Sequence, residues 1–99
     1  MSTTKRDLVV EISKQTGLKQ DDVYNIMHSL FNHIINGLSK GERFELRNFC
    51  GFEVKEIGKK VGRDPNNPEV DIEIPPHKIV RFKASRLMRE AVRYGREVS

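Results

Sequence analysis

The sequence predicts an α+β domain: two amphipathic helices, a three-stranded antiparallel sheet with a protruding ribbon, and a short closing helix. Three observations carry this. Apolar residues recur at helical spacing from Leu8 to Leu38, strict alternation takes over at Arg43, and residues 58 to 82 alternate on their return side with little apolar surface to bury. With 99 residues the chain supports a single core and hence one domain.

Thr4-Lys-Arg-Asp7 has the form of a capping box with Asp in the acidic position, and Leu8, Val9 and Ile12 then share a helical face. Gly17 reads as the stop, so the first helix spans about residues 5 to 15. Lys5 and Arg6 stand in its first turn. Cations there oppose the helix dipole, unless a phosphate binds the free N–H groups.

The second helix runs from about Gln20 to Ser39. Val23, Ile26, Met27, Leu30, Phe31, Ile34 and Leu38 form a continuous stripe, which Ile35 widens. Lys19 replaces the usual capping residue, leaving Asp21 and Asp22 to supply favourable charge. The stripe is too broad for the first helix alone to cover. It predicts a second chain packed on Ile26, Leu30, Phe31 and Ile34, with Phe49 and Phe52 joining that interface.

After Lys40-Gly41, Arg43-Phe-Glu-Leu-Arg47 alternates, with Phe44 and Leu46 inward and Arg43, Glu45 and Arg47 outward. Asn48 suits a turn, and Phe52 and Val54 continue as a second strand, where Gly51 marks a bend or close packing. Phe49 and Phe52 are expected to supply much of the aromatic core. Lys78 to Lys83 form the third strand.

Between these strands, Val70, Ile72 and Ile74 point one way and Asp71 and Glu73 the other. Two prolines around two asparagines supply the turn, so residues 58 to 76 read as a β-hairpin arm with a basic stem of Lys59, Lys60 and Arg63. A two-stranded ribbon is marginal alone in water, and a nucleic-acid backbone would hold it. The last helix starts at Ser85, with Leu87, Met88, Ala91 and Val92 on one side and Arg86, Arg89 and Arg93 on the other; Arg96 to Ser99 fray.

A formal charge of +4 and a pI near 9.4 favour polyanionic partners. The lone Cys50 excludes an intrachain disulfide, and its apolar setting reads as a buried structural thiol. With no long apolar run and no apolar leader, an intracellular soluble protein without a membrane partner is expected. His28 and His33 lie five apart, off a common helical face, and His77 stands alone, so no metal site is expected. No nucleophile with its base and no Gly-rich phosphate loop occurs, which points to a non-enzyme that needs no cofactor.

Gly62-Arg63-Asp64-Pro65 resembles the Gly-Arg-Asn-Pro arm tip of the bacterial HU and integration host factor family, and Phe82-Lys-Ala-Ser-Arg86 is similar to the segment leading into that family's last helix. The resemblance spans roughly residues 4 to 94. It implies an intertwined dimer that binds double-stranded DNA in the minor groove and bends or compacts it, in the nucleoid of the cytoplasm. It also implies that Pro65 intercalates as a wedge at a base step, being rigid, apolar and without an N–H to desolvate. Arg63, Asn66 and Asn67 would flank it in the groove. Lys5, Lys59, Lys60, Lys78, Arg81, Lys83 and Arg86 fall on the family's phosphate-contacting track. Singly, each of these cations could equally be ordinary surface charge.

The run Gly41-Glu-Arg-Phe-Glu-Leu-Arg47, together with Tyr94-Gly95, resembles the β-subunit of integration host factor, which implies that Glu45 orients Arg47 toward the duplex. A homodimer that packages DNA nonspecifically and a sequence-preferring half of a heterodimer both fit this pattern. The chain departs from the family at Asp64, where Asn is usual, at Pro68, near the usual tip glycine, and in the acidic row Glu69, Asp71 and Glu73. Those carboxylates repel phosphate. They leave a third reading, a protein-interaction module with weak DNA binding.

Overall fold

The computed structural model of the chain describes residues 1–98, in the order α1 (Lys5–Thr16), α2 (Gln20–Ser39), β1 (Phe44–Leu46), β2 (Cys50–Ile57), β3 (Lys60–Asp64), β4 (Asn67–Ile74), β5 (His77–Ala84) and α3 (Arg86–Tyr94). Two compact units divide it, Met1–Asn36 and Gly37–Ser99.

In the first unit, α1 begins with the expected reciprocal cap. The Asp7 N–H donates to Thr4 Oγ1 at 3.2 Å and the Thr4 N–H donates to Asp7 Oδ2 at 3.0 Å. The Thr4 backbone donor, helped by the Thr4 hydroxyl, holds the Asp7 carboxyl below its ordinary 3.8. Gly17 ends the helix in the left-handed region, φ 75°, and its N–H donates to the Ser13 carbonyl at 2.9 Å. The next helix has Asp21 and Asp22 in its first turn, as expected from the missing cap. Val9 and Val23 are buried, but Ile26 and Ile35 are each 62% exposed and Leu30 is 49% exposed. Much of the α2 stripe therefore lies open on a single chain.

In the second unit, Gly41 turns the chain at φ 84° and the Glu42 N–H closes on the Gly37 carbonyl at 3.0 Å. Strands β1, β2 and β5 form one antiparallel sheet in that order. Asn48, at φ 65°, makes the turn between the first two. The register places Phe44, Phe52 and Phe82 in one row across the sheet, and the Phe52 and Phe82 rings pack at 5.7 Å. Close packing explains Gly51, since a Cβ there would lie 3.3 Å from the Phe44 carbonyl oxygen.

Cys50 is buried on that sheet, but Val80 and Phe82 are more than half exposed. Phe49 does not serve as aromatic core within one chain: it is 54% exposed. It sits in the turn after Asn48, where strand alternation no longer aims the side chain, and its carbonyl accepts the Ser85 N–H at 3.0 Å. That same Ser85 caps α3, its hydroxyl accepting the Met88 N–H at 3.0 Å.

Strands β3 and β4 form a separate two-stranded sheet, the expected arm. Its turn is tighter than the sequence suggests. Asp64 pairs with Asn67, so Pro65 and Asn66 alone make the loop, and Asn67 and Pro68 already belong to β4. The register then jumps to Arg63 opposite Asp71, and this irregularity absorbs Pro68, which cannot donate to a ladder.

Candidate nucleic-acid interface

Pairing in the sheet sorts its charges by face. Lys83 lies opposite Gly51 and Arg81 opposite Glu53, with Lys55 following on the same side. Glu45, opposite Gly51 from the other flank, belongs to this face too. Lys78 does not. It pairs with Glu56, one residue out of phase, and so falls on the face that carries Phe52 and Phe82. The family track that includes Lys78, Arg81 and Lys83 therefore runs over both faces of the sheet. Sequence reading passes over Lys55, which the alternation with Glu53 would have revealed.

Among the described residues, four of the candidate cations meet carboxylates of the same chain. Lys83 meets Glu53 at 3.3 Å, Lys78 meets Glu56 at 4.0 Å, Lys59 meets Glu73 at 3.1 Å and Arg86 meets Glu90 at 3.1 Å. All four cations keep more than half of their side chains in water, so these pairs are weak and exchangeable. Glu45 is held by Arg43 at 3.1 Å and not by Arg47. Arg47 lies beyond the strand, which ends at Leu46, in the Asn48 turn, and no Glu45–Arg47 ion pair occurs among the described residues.

On the arm, Ile72 faces Gly62 and Ile74 faces Lys60, while Arg63 faces Asp71 and Val61 faces Glu73. One side is thus lined by Val70, Ile72 and Ile74, each at least 38% exposed. Gly62 keeps that side low: a Cβ there would approach Ile74 Cδ1 at 3.3 Å. The Lys60 side chain lies outside the described residues. At the tip, Asp64 Oδ1 accepts the Asn66 N–H at 2.9 Å, bracketing an exposed Pro65.

Lys5 stands apart in the first unit, where its Nζ lies 5.6 Å from the centre of the Phe31 ring. The capping box already uses the Thr4 and Asp7 N–H groups at that helix start. The histidines take local roles. His28 stacks on Tyr24 at 5.7 Å, His33 Nδ1–H donates to the Ser29 carbonyl at 2.8 Å, and His77 Nδ1–H donates to the Pro75 carbonyl at 3.0 Å. Among the described residues no three metal-ligating side chains cluster, and no helix is long and apolar enough to cross a membrane.

Comparison with known proteins agrees with this geometry. The family model for "Bacterial DNA-binding protein" matches residues 3–93. Integration host factor subunit alpha of Ruegeria pomeroyi is 30% identical over 92 residues, covering 93% of this chain and 91% of that protein. DNA-binding protein HU of Staphylococcus aureus is 34% identical over 89 residues, covering 90% of this chain and 98% of that one. Among solved structures, the Anabaena HU–DNA cocrystal structure superimposes with a TM-score of 0.84 at 27% identity, covering 91% of this chain and 97% of that one. HU from Thermotoga maritima gives 0.65 at 23% identity, a likeness of fold.

Proposed function

The chain belongs to the bacterial DNA-binding protein family of HU and integration host factor, and from that membership we propose that it is an architectural protein that binds and bends duplex DNA. The observation that carries this is the arm: a two-residue loop presents Pro65 at the end of a ribbon with one open apolar side. A duplex offers that ribbon a groove, and the proline a base step to enter. Work of this kind is mechanical, so it needs neither a catalytic group nor a cofactor.

In this reading two arms embrace the minor groove, and Pro65 of each opens a step. Asn66, Asn67 and Arg63 line the groove beside it. Arg81, Lys83 and Lys55 on the wet sheet face, with Arg47, Arg86 and Lys5, neutralise flanking phosphates; Lys59, Lys60 and Lys78 sit nearer the arm and its base. Bending a site costs on the order of a few kcal/mol, which these phosphate contacts offset.

The working unit is a dimer. On a single chain the α2 stripe is open at Ile26 and Leu30, and in the other unit the sheet face is open at Val80 and Phe82, exposed apolar faces of the kind that a partner covers. A second copy, or a close paralogue, would cover them through Ile26, Leu30, Phe31, Ile34, Phe49 and Phe52. Action on chromosomal DNA places the protein in the nucleoid.

A gel-shift titration on a short duplex across a salt series tests the reading. Salt-steep binding supports it, because each phosphate contact releases counterions. No binding at low salt contradicts it and favours the protein-interaction scaffold.

A further inference from the structure

The arm is the part of the molecule least suited to hold phosphate by charge. Between Gly58 and Pro76 it carries three cations, Lys59, Lys60 and Arg63, against four carboxylates, Asp64, Glu69, Asp71 and Glu73, a formal −1 in a chain of +4. The carboxylates sit where the cations are. Glu73 holds Lys59 at 3.1 Å, and Asp71 is the cross-strand partner of Arg63, at the spacing where opposite charges attract. Residues two apart on a strand are about 7 Å from each other, so Glu69 and Glu73, on either side of Asp71, each lie about a screening length from Arg63 at physiological salt.

We propose that Asp71 and Glu73 compete with DNA phosphate for Arg63 and Lys59, so that the arm enters the groove by apolar contact and adds little to the salt dependence of binding. This rests on the DNA-binding reading above and specifies its energetics. A cation already paired with a carboxylate has its gain from phosphate partly cancelled. The freed carboxylate also gathers a counterion on leaving, which offsets one released from DNA. What remains for the arm is dispersion and desolvation along Val70, Ile72 and Ile74, with Pro65 at the tip, while Arg47, Lys55 and Arg81, which have no ion pair among the described residues, carry the electrostatics. The acidic row thereby sets the affinity ceiling of the arm without touching a base.

The test is the slope of log affinity against log salt for a short duplex, read for wild type, for Asp71→Asn/Glu73→Gln, and for a matched control, Glu11→Gln/Glu97→Gln. The control removes the same charge from exposed carboxylates that have no ion pair among the described residues. The expected result is that the arm variant binds several-fold tighter at low salt and steepens the slope by about one to two, and that the control leaves the slope near wild type. A second measurement guards against a simple folding effect. Lys59→Gln weakens binding more in the Glu73→Gln background than in wild type, because the released lysine then contributes fully. Superimposed slopes, equal steepening in arm variant and control, or an equal Lys59→Gln effect in both backgrounds would each overturn the proposal while leaving DNA bending by the wild type intact. If the wild type itself binds no duplex, the DNA-binding reading fails first, and the proposal with it.

Discussion

Asp64 reaches across Pro65 to accept the backbone N–H of Asn66 at 2.9 Å. The bond fixes the two-residue loop at the arm tip, so under the proposed function a residue whose charge opposes DNA also shapes the tip that would enter it. Asn in this place would keep an acceptor and lose the charge. Asp64→Asn is expected to bind duplex DNA more tightly and bend it fully; Asp64→Ala, with the acceptor gone, is expected to bind but bend less. Gel shift paired with end-to-end fluorescence transfer separates the two, and equal bending by all three proteins would refute the positioning role.

The close approach of α2 to the first strand leaves no room at Gly37. A Cβ built there would collide with the Phe44 ring, which belongs to the Phe44–Phe52–Phe82 row. Gly37→Val is expected to lower stability by about 1–3 kcal/mol through forced displacement of that ring. Thermal melting followed by circular dichroism measures it, and an unchanged midpoint would contradict the packing.

The N-terminal capping box predicts a pH effect of known sign. Thr4 donors lower the folded-state value of the Asp7 carboxyl, so its contribution is present above the ordinary carboxylate value of 3.8 and is lost as pH falls through the lower folded value. Asp7→Asn removes that portion of the acid sensitivity, visible as a flatter stability curve in the acid range. Thr4→Ala costs about 1 kcal/mol at neutral pH through the lost cap.

Ile26 and Leu30 predict the assembly. Sedimentation equilibrium of the purified chain is expected to give twice the chain mass if a homodimer forms, and a monomer that pairs only on mixing with a paralogue if a heterodimer is required. Leu30→Glu is expected to abolish either pairing and broaden the melting transition, since it places a charge in the stripe that pairing would bury. A well-folded Leu30→Glu dimer would remove this face from the interface.

Periodicity made most of the fold legible. Thr4, Gly17, Gly41, Asn48 and Ser85 act through local backbone chemistry, which a short window of sequence contains. What escaped was relational. Residue types pointed to Arg47 beside Glu45, but the strand ends at Leu46 and Glu45 meets Arg43, and the face of Lys78 follows only from its pairing with Glu56. The tight loop at Pro65–Asn66 depends on an irregular register around Pro68, which residue types alone leave unset. Phe49, apolar in a run of apolar residues, is left outward by a turn. The site is harder to read than the fold because charge pairing depends on which side chains share a face.

The most direct test of wedge-driven bending is end-to-end fluorescence transfer on a short labelled duplex saturated with wild type or with Pro65→Ala. Wild type is expected to give a large gain in transfer that mostly disappears in the variant, at protein concentrations where gel shift shows both fully bound. Equal transfer from both proteins would show that Pro65 is a turn residue and that bending, if present, arises elsewhere.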